Sequence, residues 1–484
     1  MIKAQDNAPL FEAMKEYHKK NVIPFDVPGH KHGNGLPEFV DYFGKTIMEL
    51  DVNSMKPLDN LSNPIGVIKE AEDLAAELFW ADHAFFLING TSVGIQAMIM
   101  SVCNPGDKII LPRNMHRSAI NGLILSDAIP AYIEPEVDDE LGIALNIGIE
   151  KVEQAIIRNP DAKAILVTNP TYYGFAPDLK RIVKLAHQYG LAVLVDEAHG
   201  SHLSFNPKFP ISGMDAGADM TTLSFHKTGG SLTQSSILLT NDGTVDSKHV
   251  KTILNLLQTT SASYLLMASL DLARKNLAQN GEKEFQKILK LVRKARSEIN
   301  AIDGVSSFGL NLVGREGVFS FDETKLTIKM NDLGLTGFEA YDILRDEYNI
   351  QMEFGDAYNT LAVVSLGDGA EPLEKLISAI QDISKKYRKD PICFSGALAL
   401  QNPEVIVSPR HAFYSSKKIK KLEECEGHIS AEFIMAYPPG IPIVTPGERI
   451  SKEIIEYVQF LKSQESMLTG PEDPYVNNIN VLGM

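Results

Sequence analysis

The most constraining stretch of this chain is Leu191-Ala-Val-Leu-Val195, followed at once by Asp196-Glu-Ala-His-Gly200. An unbroken apolar run with no polar alternation suits a strand covered on both faces, as strands are in the parallel sheets of α/β proteins. The residues before it agree. Ala164-Ile-Leu-Val167 reads as a second short apolar strand, ended by Thr168-Asn-Pro170. Leu179, Ile182, Val183 and Ala186 then recur at i, i+3, i+4 and i+7, the stripe of a helix lying on a sheet. Gly190 closes that helix as a C-terminal cap. Helix-like and strand-like segments alternate in this way over residues 65–245, the pattern of βαβ units, with a later strand reaching Phe225 and another over Ile237-Leu-Leu239.

Outside this region the pattern changes. Residues 1–35 read as an arm, a short amphipathic helix (Leu10 to Tyr17) and then the loop Pro24-Phe-Asp-Val-Pro-Gly-His-Lys-His-Gly33. A long basic amphipathic helix is expected over residues 283–300, with its charges on a solvated face. Residues 305–390 suggest strands near 327–330, 350–354 and 361–366 and helices near 337–348 and 372–386. The Pro-rich segment Ala436-Tyr-Pro-Pro-Gly-Ile-Pro-Ile-Val-Thr-Pro-Gly447 points to a third, loop-rich unit. We therefore divide the chain into an arm (1–35), a large α/β domain (36–295), a small α+β domain (296–390) and a C-terminal domain (391–484).

Composition narrows the function. With 484 residues, 44% of them hydrophobic and 22% charged, the chain can bury a sizeable core. Its 46 Lys and Arg against 62 Asp and Glu leave a net charge of −16, which opposes binding to nucleic acid or to an anionic membrane. Cys103, Cys393 and Cys425 form no CxxC and no even framework, which suits a reducing compartment. The N-terminus lacks the apolar core of a signal peptide, and no run approaches the roughly 18 apolar residues of a transmembrane helix. The expectation is a cytoplasmic enzyme.

Several motifs are set aside. Phe43-Gly-Lys-Thr46 looks like the end of a P-loop, but the glycine required five positions before Gly44 is Phe39, so the cradle of backbone donors is missing. No G-x-G-x-x-G follows a strand. His30-Lys-His32 and His199-Gly-Ser-His202 have neither HExxH spacing nor a cysteine partner, so no metal is expected. What remains is a set of strand ends. Asn89-Gly-Thr-Ser-Val-Gly94 follows the apolar run Ala84-Phe-Phe-Leu-Ile88 and enters a helical stretch over Ile95 to Val102. Such a turn offers backbone N–H groups, two hydroxyls and a positive helix end to an anion, although its plain reading is a capped helix start. Asp196 ends its strand where open α/β sheets place their sites. Thirty-one residues on, Lys227 stands in Ser224-Phe-His-Lys-Thr228, before Gly-Gly. One lysine among many means little, but an amine desolvated at a strand end can act as a Schiff-base nucleophile. The parts explain one another if the ligand is pyridoxal 5′-phosphate (PLP). Gly90, Thr91 and Ser92 would hold its phosphate, Lys227 its aldehyde, and Asp196 its pyridinium nitrogen.

These residues, with Asp26-Val-Pro-Gly-His-Lys-His-Gly33, Leu58-Asp-Asn-Leu61, Pro64-Ile-Gly66, Pro112-Arg-Asn-Met-His-Arg-Ser118, Asn169-Pro-Thr-Tyr-Tyr-Gly174 and Tyr437-Pro-Pro-Gly-Ile-Pro442, resemble the Orn/Lys/Arg decarboxylase family over essentially the whole chain. Ser231-Leu-Thr-Gln-Ser-Ser236 and Thr259-Thr-Ser-Ala-Ser-Tyr-Leu-Leu266 resemble its shorter Gram-positive-type branch, whose members are called arginine decarboxylases. The resemblance implies PLP fold type I, the aspartate-aminotransferase-like fold, with a mostly parallel seven-stranded sheet in the large domain and a small α+β and a C-terminal domain after it. It implies that Lys227 bonds the cofactor, Asp196 pairs with its ring nitrogen and His116 stacks on the ring. Thr91, Ser92, Ser224 and His226 then bind or border the phosphate, and His226 is also placed as an acid near the reacting carbon. Ala198 and His199 line the pocket beside Asp196, although other members carry Trp where His199 stands. Thr260 and Ser261 reach the phosphate of a partner subunit, so a homodimer with a shared site, or a larger assembly of dimers, is implied. Glu353 is the acid for the substrate's distal cation, with Asp356 as a second. The implied reaction is decarboxylation of a basic L-amino acid, arginine to agmatine for polyamine biosynthesis, with lysine or ornithine as alternatives. A transaminase or aldol-type reaction on the same scaffold, and a non-catalytic PLP-binding regulator, are the rival readings.

Overall fold

The computed structural model describes residues 5–392, 403–436, 441–463 and 467–483. The apolar runs fold as strands β1 (His83–Leu87), β2 (Lys108–Pro112), β3 (Ile129–Ile133), β4 (Ala162–Thr168), β5 (Ala192–Asp196), β6 (Met220–Leu223) and β7 (Ser236–Thr240). They form one seven-stranded sheet in the order β1-β7-β6-β5-β4-β2-β3. The sheet is mostly parallel: β2 runs parallel to β3 and β4, while β7 runs antiparallel to β1 and β6. Every residue of β5 is buried, as its unbroken apolar sequence requires. Among the helices are α1 (Pro9–Lys19), α2 (Val67–Leu78), α3 (Gly90–Val102), α4 (Arg117–Ser126), α5 (Leu179–Gln188), the single turn α6 (Phe225–Thr228), α7 (Ser247–Leu257), α8 (Tyr264–Ile299), α9 (Gly337–Tyr348), α10 (Ala370–Lys386) and α11 (Lys452–Ser463).

The chain divides into two compact units, one of residues 1–101, 195–207 and 211–285 and one of residues 102–194, 208–210 and 286–484. In the first, α3 approaches β6 so closely that a Cβ on Gly94 would stand 2.3 Å from Thr222 Oγ1, so that position requires glycine. The arm is latched. Asp271 Oδ2 accepts from the N–H groups of Leu10 and Phe11 at 3.0 and 3.3 Å, capping α1 from outside. Arg274 pairs with the other oxygen of Asp271 at 2.7 Å and donates to the Gln5 carbonyl at 3.0 Å and to that of Asn7. Both charges are fully buried.

In the second unit, the stripe Leu179, Ile182, Val183 and Ala186 of α5 is buried, and the Asp178 side chain caps the helix through the Arg181 N–H at 3.2 Å. A small antiparallel sheet has β8 (Lys325–Lys329) and β9 (Phe354–Gly355) on either side of β10 (Asn359–Val363). Thr336 and Glu339 form a capping box at the start of α9. Further on lie β11 (Lys417–Lys421), β12 (Ile434–Ala436), β13 (Ile441–Val444), β14 (Leu468–Thr469) and β15 (Asn478–Leu482). β12 lies between β13 and β14, and β11 pairs with β15. With α11 these elements enclose a core of their own, which includes Ile434, Val444, Val458, Ile479 and Val481.

Several elements depart from the sequence reading. The basic helix begins at Tyr264 rather than near 283. β6 stops at Leu223, and Phe225 belongs to α6. The C-terminal region carries more regular structure than its prolines suggest. Cys393 and Tyr437-Pro-Pro-Gly440 lie outside the described residues. Among the described residues no helix is long and apolar enough to cross a membrane.

Candidate active site

The first unit holds four polar side chains in or just after strand ends: Asp196, His199, His226 and Lys227. Asp196 is the last residue of β5 and is buried. One carboxylate oxygen accepts from the Ala198 N–H at 3.1 Å. Burial pushes this carboxyl above its ordinary value, against the pull of the Ala198 N–H and of the Lys227 cation. A carboxylate held in that state gains from a protonated partner. Lys227 lies in α6, the turn after β6, and its N–H bonds the Ser224 carbonyl at 3.2 Å. Its Nζ stands 2.9 Å from Nε2 of the buried His199, three residues past Asp196. His226 is oriented by its backbone partner: Nδ1 donates to the Ser235 carbonyl at 3.0 Å, which leaves Nε2 as the acceptor of the neutral ring.

Beside them lies a cluster of hydroxyls. Gly90 opens α3 with φ +73°, a conformation that favours glycine, and its N–H bonds the Gln234 carbonyl at 2.9 Å. Thr91 is buried; its Oγ1 meets Ser224 Oγ and donates to Ser236 Oγ at 3.0 Å. Ser92 is exposed on the same helical turn. Thr260 and Ser261 are exposed in a segment whose Thr259 N–H reaches Asn89 Oδ1 at 3.4 Å. Gly90, Thr91, Ser92 and Ser224 thus combine a helix N-terminus with hydroxyl donors, a donor set that fits a phosphate. With the amine of Lys227 and the buried acid Asp196, the residues present fit PLP.

His116, Glu353 and Asp356 belong to the second unit. His116 is half-buried and caps α4, its Nδ1 accepting from the Ser118 N–H at 3.2 Å. That cap uses one edge of the imidazole. Asp356 closes the turn between β9 and β10: Oδ1 accepts from the N–H groups of Tyr358 and Asn359 at 2.7 and 2.6 Å, and Oδ2 from the Tyr173 hydroxyl. Glu353 is exposed, with its backbone N–H on Leu361 O at 2.8 Å.

Sequence reasoning did not single out Ser236 as a partner of Thr91, nor the buried pair of Ser201 Oγ and Thr228 Oγ1 at 2.7 Å, which ties the loop after β5 to α6. Serine and threonine are too common near turns for composition to mark them. Among the described residues no group of three His, Cys, Asp or Glu could hold a metal ion.

Comparison with known proteins adds a second line. Residues 8–371 match the family model for the Orn/Lys/Arg decarboxylase major domain, and residues 395–473 match that for its C-terminal domain. The chain is similar to an arginine decarboxylase of Bacillus anthracis, 46% identical over 483 residues, covering 99% of this chain and 98% of that one. It is less similar to the inducible lysine decarboxylase of Escherichia coli K12, at 25% identity, covering 94% of this chain and 77% of the other. In structure it is similar to a lysine decarboxylase of Francisella novicida, with a TM-score of 0.84 at 23% identity, over 98% of this chain and 81% of that one.

Proposed function

The chain belongs to the Orn/Lys/Arg decarboxylase family, and we propose that it is a PLP-dependent decarboxylase whose substrate is a basic L-amino acid, arginine before lysine or ornithine. The observation that carries this reading is the grouping of a buried Asp196, an amine at Lys227 and the Thr91–Ser224 hydroxyls in one unit. The preference for arginine rests on the 46% identity to an arginine decarboxylase against 25% to a lysine decarboxylase.

Bound PLP supplies an electron sink conjugated with the substrate's α-carbon. The chain's own residues do the rest. Asp196, in an environment that disfavours a lone carboxylate, keeps a proton on the ring nitrogen by pairing with it. Lys227 Nζ would hold the cofactor's aldehyde and, as a free ammonium, could give a proton to the substrate's α-carbon. His226, with its Nδ1–H fixed on Ser235, presents Nε2 as a second proton-handling atom. His199, with Nε2 2.9 Å from Lys227 Nζ, fixes where that amine stands. His116 would supply the ring face. Because Asp356 is engaged by Tyr173 and its own turn, Glu353 is the better anionic partner for a guanidinium.

The working unit is a homodimer. Phe25 is 94% exposed, Tyr42 85% and Ile65 84%, and Phe39 stacks on Phe43 at 4.3 Å beside Tyr42. Apolar exposure on this scale suits a second copy, with the exposed Thr260 and Ser261 completing the partner's phosphate site. Buried Cys103 and Cys425, both free thiols, suit a cytoplasmic setting. Purified holoenzyme offered arginine, lysine and ornithine separately, and assayed for CO₂, amine and keto acid, tests the proposal. Equal amounts of CO₂ and agmatine from arginine are expected; keto acid in their place, or no product from any of the three, contradicts it.

A further inference from the structure

We infer that Arg113 is a positioning residue, whose guanidinium ties the turn carrying His116 to strand β13 and Glu448, so that the C-terminal segment sets where the His116 ring stands. The inference rests on the reading of His116 as the residue on the cofactor ring. Arg113 directly follows β2, and its backbone N–H bonds the Ile133 carbonyl at the end of β3 at 2.9 Å. One nitrogen of its fork donates to Pro442 O at 3.1 Å; the other donates to Ile443 O at 3.1 Å and to Glu448 Oε2 at 2.9 Å. That same carboxylate oxygen accepts from the Thr445 N–H at 2.6 Å. The guanidinium also lies 5.3 Å from the centre of the Tyr132 ring. Only a planar group with several donors can meet two carbonyls, a carboxylate and a ring face together.

From Arg113 to His116 little can move. Asn114 Nδ2 donates to Leu145 O at 3.1 Å, Met115 is buried, and His116 is fixed as the cap of α4. A shift of Arg113 therefore passes to the imidazole. Stability alone does not explain the joint. A buried ion pair is often no more stabilising than apolar residues of similar volume. This one also leaves Arg113 Nε buried without a hydrogen-bond partner among the described residues. What such a joint supplies is fixed geometry.

The test uses full-length Arg113→Lys and Glu448→Gln, each alone and combined with His116→Ala. Apoprotein is titrated with PLP while the visible absorbance and circular dichroism of the bound cofactor are recorded. The expected result is that Arg113→Lys weakens PLP binding about tenfold and alters the visible dichroism, with a smaller change of the same kind for Glu448→Gln. Neither should add a further loss once His116 is Ala. Losses that multiply in the His116→Ala background, or a lowered Tm with cofactor affinity and dichroism unchanged, overturn the positioning role. Unchanged binding and dichroism in His116→Ala alone overturn the reading of His116, and the inference with it. If Arg113→Lys does not fold, Glu448→Gln, which keeps the arginine, decides by the same criteria.

Discussion

Asp196 shows how one residue's surroundings choose its chemistry. The carboxyl lies at the end of a strand buried throughout, and burial alone would favour its neutral form. Asp196→Asn keeps the shape but loses the charge that holds a ring proton. It should cost about 3 kcal/mol or more of transition-state stabilisation, a fall in kcat beyond about a hundredfold, with the chain still folded by circular dichroism. Glu72 makes a different prediction. It is buried on α2, one oxygen accepts from the Phe86 N–H at 2.9 Å, and burial pushes its carboxyl up to about 7 against the attraction of Lys251 and Lys69. With the folded value above the unfolded one, the native state binds the extra proton between roughly pH 4.5 and 7. This group's contribution to stability therefore falls as pH rises through that window and is flat above it. Glu72→Gln should remove that fall, gaining up to about 3 kcal/mol over the native protein at pH 8 relative to pH 5, read from urea midpoints. The position of Asp196 was legible because an apolar run ended on it; that of Glu72 was not, since one glutamate in an amphipathic helix looks like any other until β1 covers it.

At the scale of elements, the sequence pattern carried furthest where a helix buries one stripe or a strand is buried on both faces. The stripe of α5 and the strands β4 and β5 stand within a residue or two of where the pattern puts them, and α9 covers the expected residues. The first half of α8 was hidden because it buries charge. Asp271 and Arg274 interrupt the apolar stripe, yet both face inward to hold the arm. α3 begins at Gly90 rather than Ile95 because Gly-Thr-Ser reads as a turn while its residues already form the first helical turn. The latch has a measurable consequence. Asp271→Ala removes the outside cap of α1 and strands Arg274 in the interior, which should cost about 3–5 kcal/mol, and limited proteolysis should then cut between the arm and α2 well before the native protein is cut. An arm that stays protected at native denaturant midpoints would show that the latch contributes little.

For the whole molecule, the class of fold followed from strands without polar alternation, and the reading of function from residues far apart in sequence: Thr91, Asp196 and Lys227. The exposed apolar residues were not legible as a group, because Phe25, Tyr42 and Ile65 are far apart in sequence and only folding leaves them uncovered. If a second copy covers them, Phe25→Glu combined with Tyr42→Glu should shift sedimentation from a dimer toward a monomer and lower activity with it, while the far-ultraviolet spectrum is kept. A double variant that sediments as the native protein does would move the interface elsewhere. The account as a whole depends on the amine at the turn after β6. Holoenzyme reduced with borohydride, digested and mapped by mass spectrometry locates the lysine joined to the cofactor. The account predicts a pyridoxyl group on the peptide containing Lys227 and loss of that signal in Lys227→Ala; the group on another lysine, or on none, would contradict it.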